Sequence, residues 1–483
     1  MTARSRSARA AALCVSALLA ALPLAASADE NSDLDRIPGT LDQGAPEASP
    51  GATPGEAAPP SAPAAVRGKY YLEDAPTFTS RRGNLAVPFP PPAPFDWQNR
   101  TSLDVTDQWN LTGTLQATFS NRFNLLEESD FDFPSRQMVR NDFREGYVTW
   151  EPAAQNYLEA GRINVRNGVA LGFNPTDFFK TRTLVDQASL DPSVIREDRL
   201  GTFMIRGQRI MDQGSVSISY APRLYDPSPL TGAPPPGIGP MLDRTNAAQR
   251  LLITVNYDLL DASPQALLYH EGDQTKLGLN LSHGIGQSII AYAEWAGGRQ
   301  QDLITRAIDY GIETGTIPAT APAVLPVDKS KAFRNDVAIG ASWTSTAKLT
   351  LNLEYHYHQS GFSHDDWNRW FATGSALRNF APATGELWFI RGFANDQQEP
   401  VSKHQVFLRA DWTDAFISNL NLGAFAFVDL YDGSTLAQLS ATYFLSDAWT
   451  IGSYISGNLG GARTERGSFP QAGSIIAQVV RYF

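Results

Sequence analysis

Cysteine is nearly missing from these 483 residues: the one present, Cys14, lies at the extreme N-terminus. Long apolar runs are equally scarce. Ala10 to Ala26 follows Arg4, Arg6 and Arg9 and ends at Ala26-Ser27-Ala28 before Asp29-Glu30, so residues 1–28 read as a secretory signal peptide with a small-residue cleavage site. Leu13, not a small residue, precedes Cys14, which excludes a lipid anchor. With the signal removed no cysteine is left, and disulfides and thiolate-metal sites are excluded. No later segment offers roughly 18 uninterrupted apolar residues, so helical membrane spans are not expected. Positive charge is in deficit: 39 Lys and Arg against 50 Asp and Glu leave a net −11, the wrong sign for a nucleic-acid partner. The six histidines have no serine or aspartate beside them in an arrangement suited to nucleophilic catalysis, so neither an enzyme nor a cofactor is expected.

Aromatic residues, in contrast, are plentiful: 25 Phe, 16 Tyr and 10 Trp are far too many for a disordered chain. Residues 29–66 are Pro-, Ala-, Gly- and acid-rich and read as a disordered periplasmic leader. Residues 67–97 carry mixed signals: Lys69-Tyr-Tyr-Leu72 suits a strand, whereas Pro88-Phe-Pro-Pro-Pro-Ala-Pro94 does not. From 98 to 483 a period of two dominates. Leu277, Leu279 and Leu281 alternate with Lys276, Gly278, Asn280 and Ser282; Leu349, Leu351, Leu353, Tyr355 and Tyr357 alternate with Thr350, Asn352, Glu354, His356 and His358. Sixteen strands can be drawn, the first over 109–122 and the last over 473–483. The turns between them are short at every other connection, while the long ones fall at 123–141, 166–198, 223–247, 298–333, 360–400 and 458–472. A soluble sandwich has no reason to sort its loops this way; a closed membrane barrel does. The expected fold is therefore all-β, a closed antiparallel transmembrane β-barrel of 16–18 strands. Eighteen requires Lys69–Leu72 to start a strand that partners the segment from Thr101 to Trp109.

The chain ends on Gly473-Ser-Ile-Ile-Ala-Gln-Val-Val-Arg-Tyr-Phe483, long enough as a tilted strand to cross a bilayer. A terminal Phe483 on such a strand resembles the C-terminal signature of Gram-negative outer-membrane barrels, with Arg481 as a departure two residues earlier. That resemblance implies a Gram-negative outer membrane, contact with its lipids and recognition by the barrel-assembly machinery. A second stretch runs Ala160-Gly-Arg-Ile-Asn-Val-Arg-Asn-Gly-Val-Ala-Leu-Gly-Phe-Asn-Pro-Thr-Asp-Phe-Phe179 and returns with Arg199-Leu-Gly-Thr-Phe-Met-Ile-Arg206. It resembles porin-like barrels of the alginate-export type, and implies a charged lumen conducting a small polar solute or a polysaccharide.

The same residues supply the site candidates. Arg at a bilayer midplane costs roughly 2–4 kcal/mol, so Arg162, Asn164 and Arg166 are expected to face the lumen, with Arg206 and Arg250 beside them as a positive stripe favouring anions. The loop between, with Asn174, Asp177, Lys180, Arg182, Asp186, Arg196 and Arg199, is expected to fold inward and constrict the pore. Mutual pairing of these charges as a brace for the wall is an equally weighted reading. His356 and His358, with Glu354, read as lumen-face polars rather than metal ligands, and His364-Asp-Asp-Trp-Asn-Arg-Trp-Phe371 as a short helix packed within its own loop. The expected function is a porin-like channel; the alternative is a structural or adhesive barrel whose lumen is occluded.

Overall fold

The computed structural model describes residues 68–88, 95–129, 136–230, 237–257, 259 and 264–483. The signal peptide and leader expected over 1–66 lie outside them. Eighteen strands form one sheet, each antiparallel to its sequence neighbour, and the last returns to the first. They are Lys69–Arg81 (β1), Trp97–Thr112 (β2), Leu115–Ser129 (β3), Arg136–Ala153 (β4), Asn156–Ile163 (β5), Thr202–Met211 (β6), Gly214–Ala221 (β7), Arg250–Tyr257 (β8) and Gln265–Glu271 (β9), then Gln274–Ile285 (β10), Ile289–Gln300 (β11), Ala332–Thr344 (β12), Leu349–His358 (β13), His404–Trp412 (β14), Leu420–Asp429 (β15), Thr435–Ser446 (β16), Trp449–Leu459 (β17) and Gln471–Tyr482 (β18). Closure pairs Tyr71 with Tyr482 and Phe78 with Ile475, and the Phe483 amide donates to the Tyr70 carbonyl at 3.0 Å. Arg481 lies over the rings of Trp449 (5.2 Å) and Phe483 (5.3 Å), a cation–π setting that accommodates the departure in the terminal motif.

Two strand assignments change. The strand drawn over 109–122 is a hairpin, β2 and β3, that turns at Gly113-Thr114. Trp109, Leu111, Phe123 and Leu125 are all outward and exposed. Odd positions face outward on both arms, so the two-residue period runs through the turn without a break. Lys69–Leu72 does open β1, with Leu72 opposite Leu103 on β2, which accounts for eighteen strands rather than sixteen. The segment 123–141, drawn as a long loop, is mostly strand, because β3 and β4 extend well past their neighbours.

The alternation sorts as hydrocarbon requires. Leu277, Leu279, Ile339, Leu351 and Leu353 point outward with 40–56% of their surface exposed, while Asn280, Glu294, Asn352, Glu354 and His356 point inward and are buried. No helix among the described residues is long and apolar enough to cross a membrane. At one rim the strands turn through short connections. At the other stand the long loops, except, among the described residues, at 272–273 and 430–434.

Those loops are folded. They contain Pro192–Asp198 (α1), Leu242–Thr245 (α2), Leu303–Glu313 (α3), His364–Ala376 (α4) and Ala381–Asp396 (α5). Asp302 caps α3 by accepting from the Thr305 amide at 2.8 Å, and Ser363 with Asp366 forms a capping box on α4. The apolar faces of α3, α4 and α5 meet Val87 and Phe469 from two other loops in a core centred on Trp370, Leu387 and Trp388. Arg391 sits among their rings, 4.1 Å from Phe469 and 4.8 Å from Trp388. The rim of long loops thus carries a packed cap.

Candidate functional site

Loop 164–201 leaves β5, crosses the inside of the barrel to the far wall, and returns to β6. Two wall carboxylates receive it. Glu294 on β11 accepts from the amides of Val169 (3.0 Å), Ala170 (3.1 Å) and Thr176 (2.7 Å), and Glu354 on β13 from those of Leu171 (2.5 Å) and Gly172 (2.9 Å). Hydrogen bonds to an ionised acceptor are the strong kind. The approach is close enough to require glycine. Gly168 has φ +98°, and a Cβ there would lie 2.5 Å from Glu294 Oε1; at Gly172 it would lie 2.6 Å from the Phe407 ring. Further along, Leu190 donates its amide to Gln438 on β16 at 2.8 Å, and Asp191 pairs with Arg409 on β14 at 3.2 Å. On the near wall Asp198 meets Arg144 at 2.8 Å. Phe178 and Phe179 pack with Met204, Leu252 and Tyr269.

The candidate residues fall into distinct places. Arg199 grips Asp177 in a bidentate pair at 2.8 and 2.9 Å and also reaches Asn164 Oδ1 at 2.8 Å, so the two ends of the loop are clasped together. Arg196 donates to the Asn167 carbonyl at 2.7 Å and lies 3.5 Å from Asp177. Asn174 donates to the Ala170 carbonyl and accepts from Lys180 at 2.7 Å, with the Lys180 ammonium 4.4 Å from the Phe173 ring. Arg182 pairs with Asp396 at 3.2 Å, and Asp186 with Arg140 on β4 at 2.6 Å. Arg206 pairs with Glu159 across β5 and β6, and Arg250 donates to the Thr245 carbonyl and lies 5.3 Å from the Phe179 ring.

Arg162 is elsewhere. It stands opposite Phe203, which is outward and 44% exposed, yet Arg162 itself is 1% exposed. Its guanidinium donates to the carbonyls of Gly201 (2.8 Å) and Pro240 and lies 5.7 Å from the Phe143 ring. The rule that arginine avoids lipid holds, but a covering loop satisfies it as well as a lumen does. Gly237 pairs with the β4 edge at Arg140, so segment 237–246 covers this part of the wall where β5 has ended. Arg166 is exposed and makes no ion pair among the described residues. The expected stripe is therefore dispersed. Of the residues that seat the loop, Glu354 was read as a lumen-face polar beside His356 and His358, and Glu294 was not singled out, although each is an acid on an otherwise apolar-alternating strand. His356 and His358 join the same wall network, through Glu354 at 2.8 Å and Asp336 at 2.7 Å.

Between the loop, α3 and the wall of β8–β12 lies a cavity of about 370 Å³. Lys180, Arg182, Arg244, Arg250, Lys276 and Arg306 are its basic lining residues. Asp177, Glu271, Asp309, Glu313, Asp336 and Glu399 are its acidic ones, equal in number.

Several loop carboxyls are held ionised. Burial raises the Asp177 carboxyl, but Arg199 and Arg196 outweigh it and leave the group below the usual range; Arg140 does the same for Asp186, and Arg306 with His358 for Glu399. A depressed carboxyl contributes stability above its unfolded pKa, about 3.9 for Asp, and loses it as the pH falls through the folded value. The Arg199–Asp177 and Arg140–Asp186 pairs are accordingly expected to hold from neutral pH down to about 5 and to give way only in stronger acid, as limited digestion around Asp177 and Asp186 across a pH series would show.

The sequence matches no protein-family model and no curated protein. Among solved structures the chain is similar to OccK11 (OpdR) of Pseudomonas aeruginosa, with a TM-score of 0.47 at 10% identity over 86% of this chain and 95% of that one. It is also similar to OccAB3 of Acinetobacter baumannii, with a TM-score of 0.45 at 11% identity over 86% of this chain and 99% of that one, and to a triple mutant of the Rhodopseudomonas blastica porin, with a TM-score of 0.37 at 9% identity over 86% and 100%. Likenesses this distant leave the reading of the site to its own geometry.

Proposed function

We propose that this chain is a porin-like channel of a Gram-negative outer membrane that passes a small polar solute past the inward loop 164–201. The observation that carries the reading is how that loop is held: on the wall carboxylates Glu294 and Glu354 and the guanidiniums of Arg144 and Arg409, with apolar packing of Phe178 and Phe179 against the wall beside them. Walls of 16–18 strands enclose more space than side chains alone fill, and a polar interior keeps that space wet. The resemblance of residues 160–206 to alginate-export-type barrels belongs to the same proposal; it supports a charged passage and names no solute. Anion preference rests on Arg166, because Arg199, Arg182 and Arg206 are each matched to a carboxylate, and Lys180 and Arg250 are buried on backbone carbonyls. A barrel occluded by its loop and cap, serving structure or adhesion, is the second reading, favoured by the density of contacts that seat the loop.

Reconstitution in planar bilayers separates them: discrete conductance steps are expected, and their absence at high protein load favours the occluded barrel. Arg166→Glu is expected to move the reversal potential in a salt gradient toward cations. A charge change worth about 1 kcal/mol in watery surroundings corresponds to a permeability ratio altered by roughly two- to fivefold. An unchanged ratio would leave the channel standing and remove Arg166 as its filter.

A further inference from the structure

We infer that the cavity between the inward loop and α3 is a binding site for an uncharged polyhydroxylated solute of saccharide type; the inference rests on the channel reading for its role and not for its chemistry. Its charges are many and balanced. They are also largely committed: Arg306 holds Glu399 at 2.6 Å, Arg199 holds Asp177, and His358 holds Asp336 at 2.7 Å. Such a lining presents fixed donors and acceptors without a net field, so an ion entering it gains little attraction and loses its hydration. A ligand rich in hydroxyls loses less, because each hydroxyl both donates and accepts.

Two further observations agree. Aromatic edges stand beside the polar groups: Phe178 and Tyr269, stacked on each other at 4.6 Å and 10°, and Tyr310 with Phe393 on α3 and α5. Such edges suit the C–H groups of a sugar, and about 300–1,000 Å³ is the usual size of a small-molecule site. Access is also provided. The rim of long loops drops at 272–273, and both strands of that hairpin line the cavity, through Tyr269 and Glu271 on one side and Gln274 and Lys276 on the other.

The test titrates the full-length protein in detergent with sucrose and with galacturonate, by calorimetry, and repeats the titrations with Gln274→Trp, which narrows the entry. Sucrose is expected to bind with an affinity unchanged between about 0.1 and about 1 M salt and to weaken about tenfold or more in the variant. Galacturonate is expected to bind more weakly than sucrose. Tighter, salt-sensitive binding of galacturonate would overturn the inference in favour of an anion site, and heat from neither sugar would overturn it outright. If Gln274→Trp does not fold, the comparison of the two sugars and their salt dependence on the unaltered protein still decides. Conductance steps that sucrose leaves unaffected, with no calorimetric signal, would sink this site alone; sucrose binding without any conductance would sink the channel and spare the site.

Discussion

The double variant Glu294→Ala and Glu354→Ala is expected to close its barrel and conduct several-fold more current than the unaltered chain. Five loop amides, of Val169, Ala170, Leu171, Gly172 and Thr176, donate to these two carboxylates. A hydrogen bond to a charged group contributes about 1.5–3 kcal/mol, so losing the set forfeits far more than the stability of an isolated loop. What remains is the apolar contact of Phe178 and Phe179 and the clasp of Arg199 on Asp177 on the near side, with Leu190 on Gln438 and Asp191 on Arg409 further along the loop. The stretch 167–176 is then free to leave the lumen. Single-channel recording reads the current, and limited proteolysis of the folded protein reads the loop, with new cuts inside 167–176. Unchanged conductance with no new cuts would mean that the remaining contacts suffice, and that the glutamates only trim the wall.

The second large effect concerns closure. Deleting β1, residues 69–81, is expected to abolish the compact, heat-modifiable form of the barrel on electrophoresis. β1 pairs with β18 on one side and β2 on the other. Without it seventeen strands remain, and β2 and β18 run in the same direction, so they cannot close in the antiparallel ladder every other pair uses. The two open edges then present unpaired amides and carbonyls to hydrocarbon, each costing several kcal/mol. A heat-modifiable band from this variant would show that β1 is an accessory to the wall and not part of its closure.

The barrel was legible in the sequence because lipid on one side and water on the other impose a period of two that few other environments impose. The same regularity hid the turn at Gly113, where the outward odd positions of β2 and β3 continue across it. The strand count needed a partner for Thr101–Trp109, and the segment Lys69–Leu72 was readable for that part even though the proline run behind it was not. The site was less legible. A run of glycines and charges over 160–199 marks a loop with work to do, but nothing local says whether a given arginine meets a lumen, a carboxylate or a covering loop. Arg162 shows this, because its partners Gly201 and Pro240 come from segments that follow it in the chain. Of the helical cap only the short helix over 364–371 was legible, and it proves to be the start of α4 packed beyond its own loop; the rest was missed for a related reason. The packed faces of α3, α4 and α5 make sense only against one another and Val87, which lies some three hundred residues before its partner Trp388.

The order of attachment along the chain also sets an order in time. The inward loop follows β5, yet its seats are on β11, β13, β14 and β16, which are made later. Contacts this far apart in sequence form late. During biogenesis the wall must therefore be nearly complete before anything narrows it, and a stalled intermediate would be an unguarded hole. The later half of the polypeptide, from β11 onward, carries the stopper's sockets, so that portion must be in place before the hole is guarded.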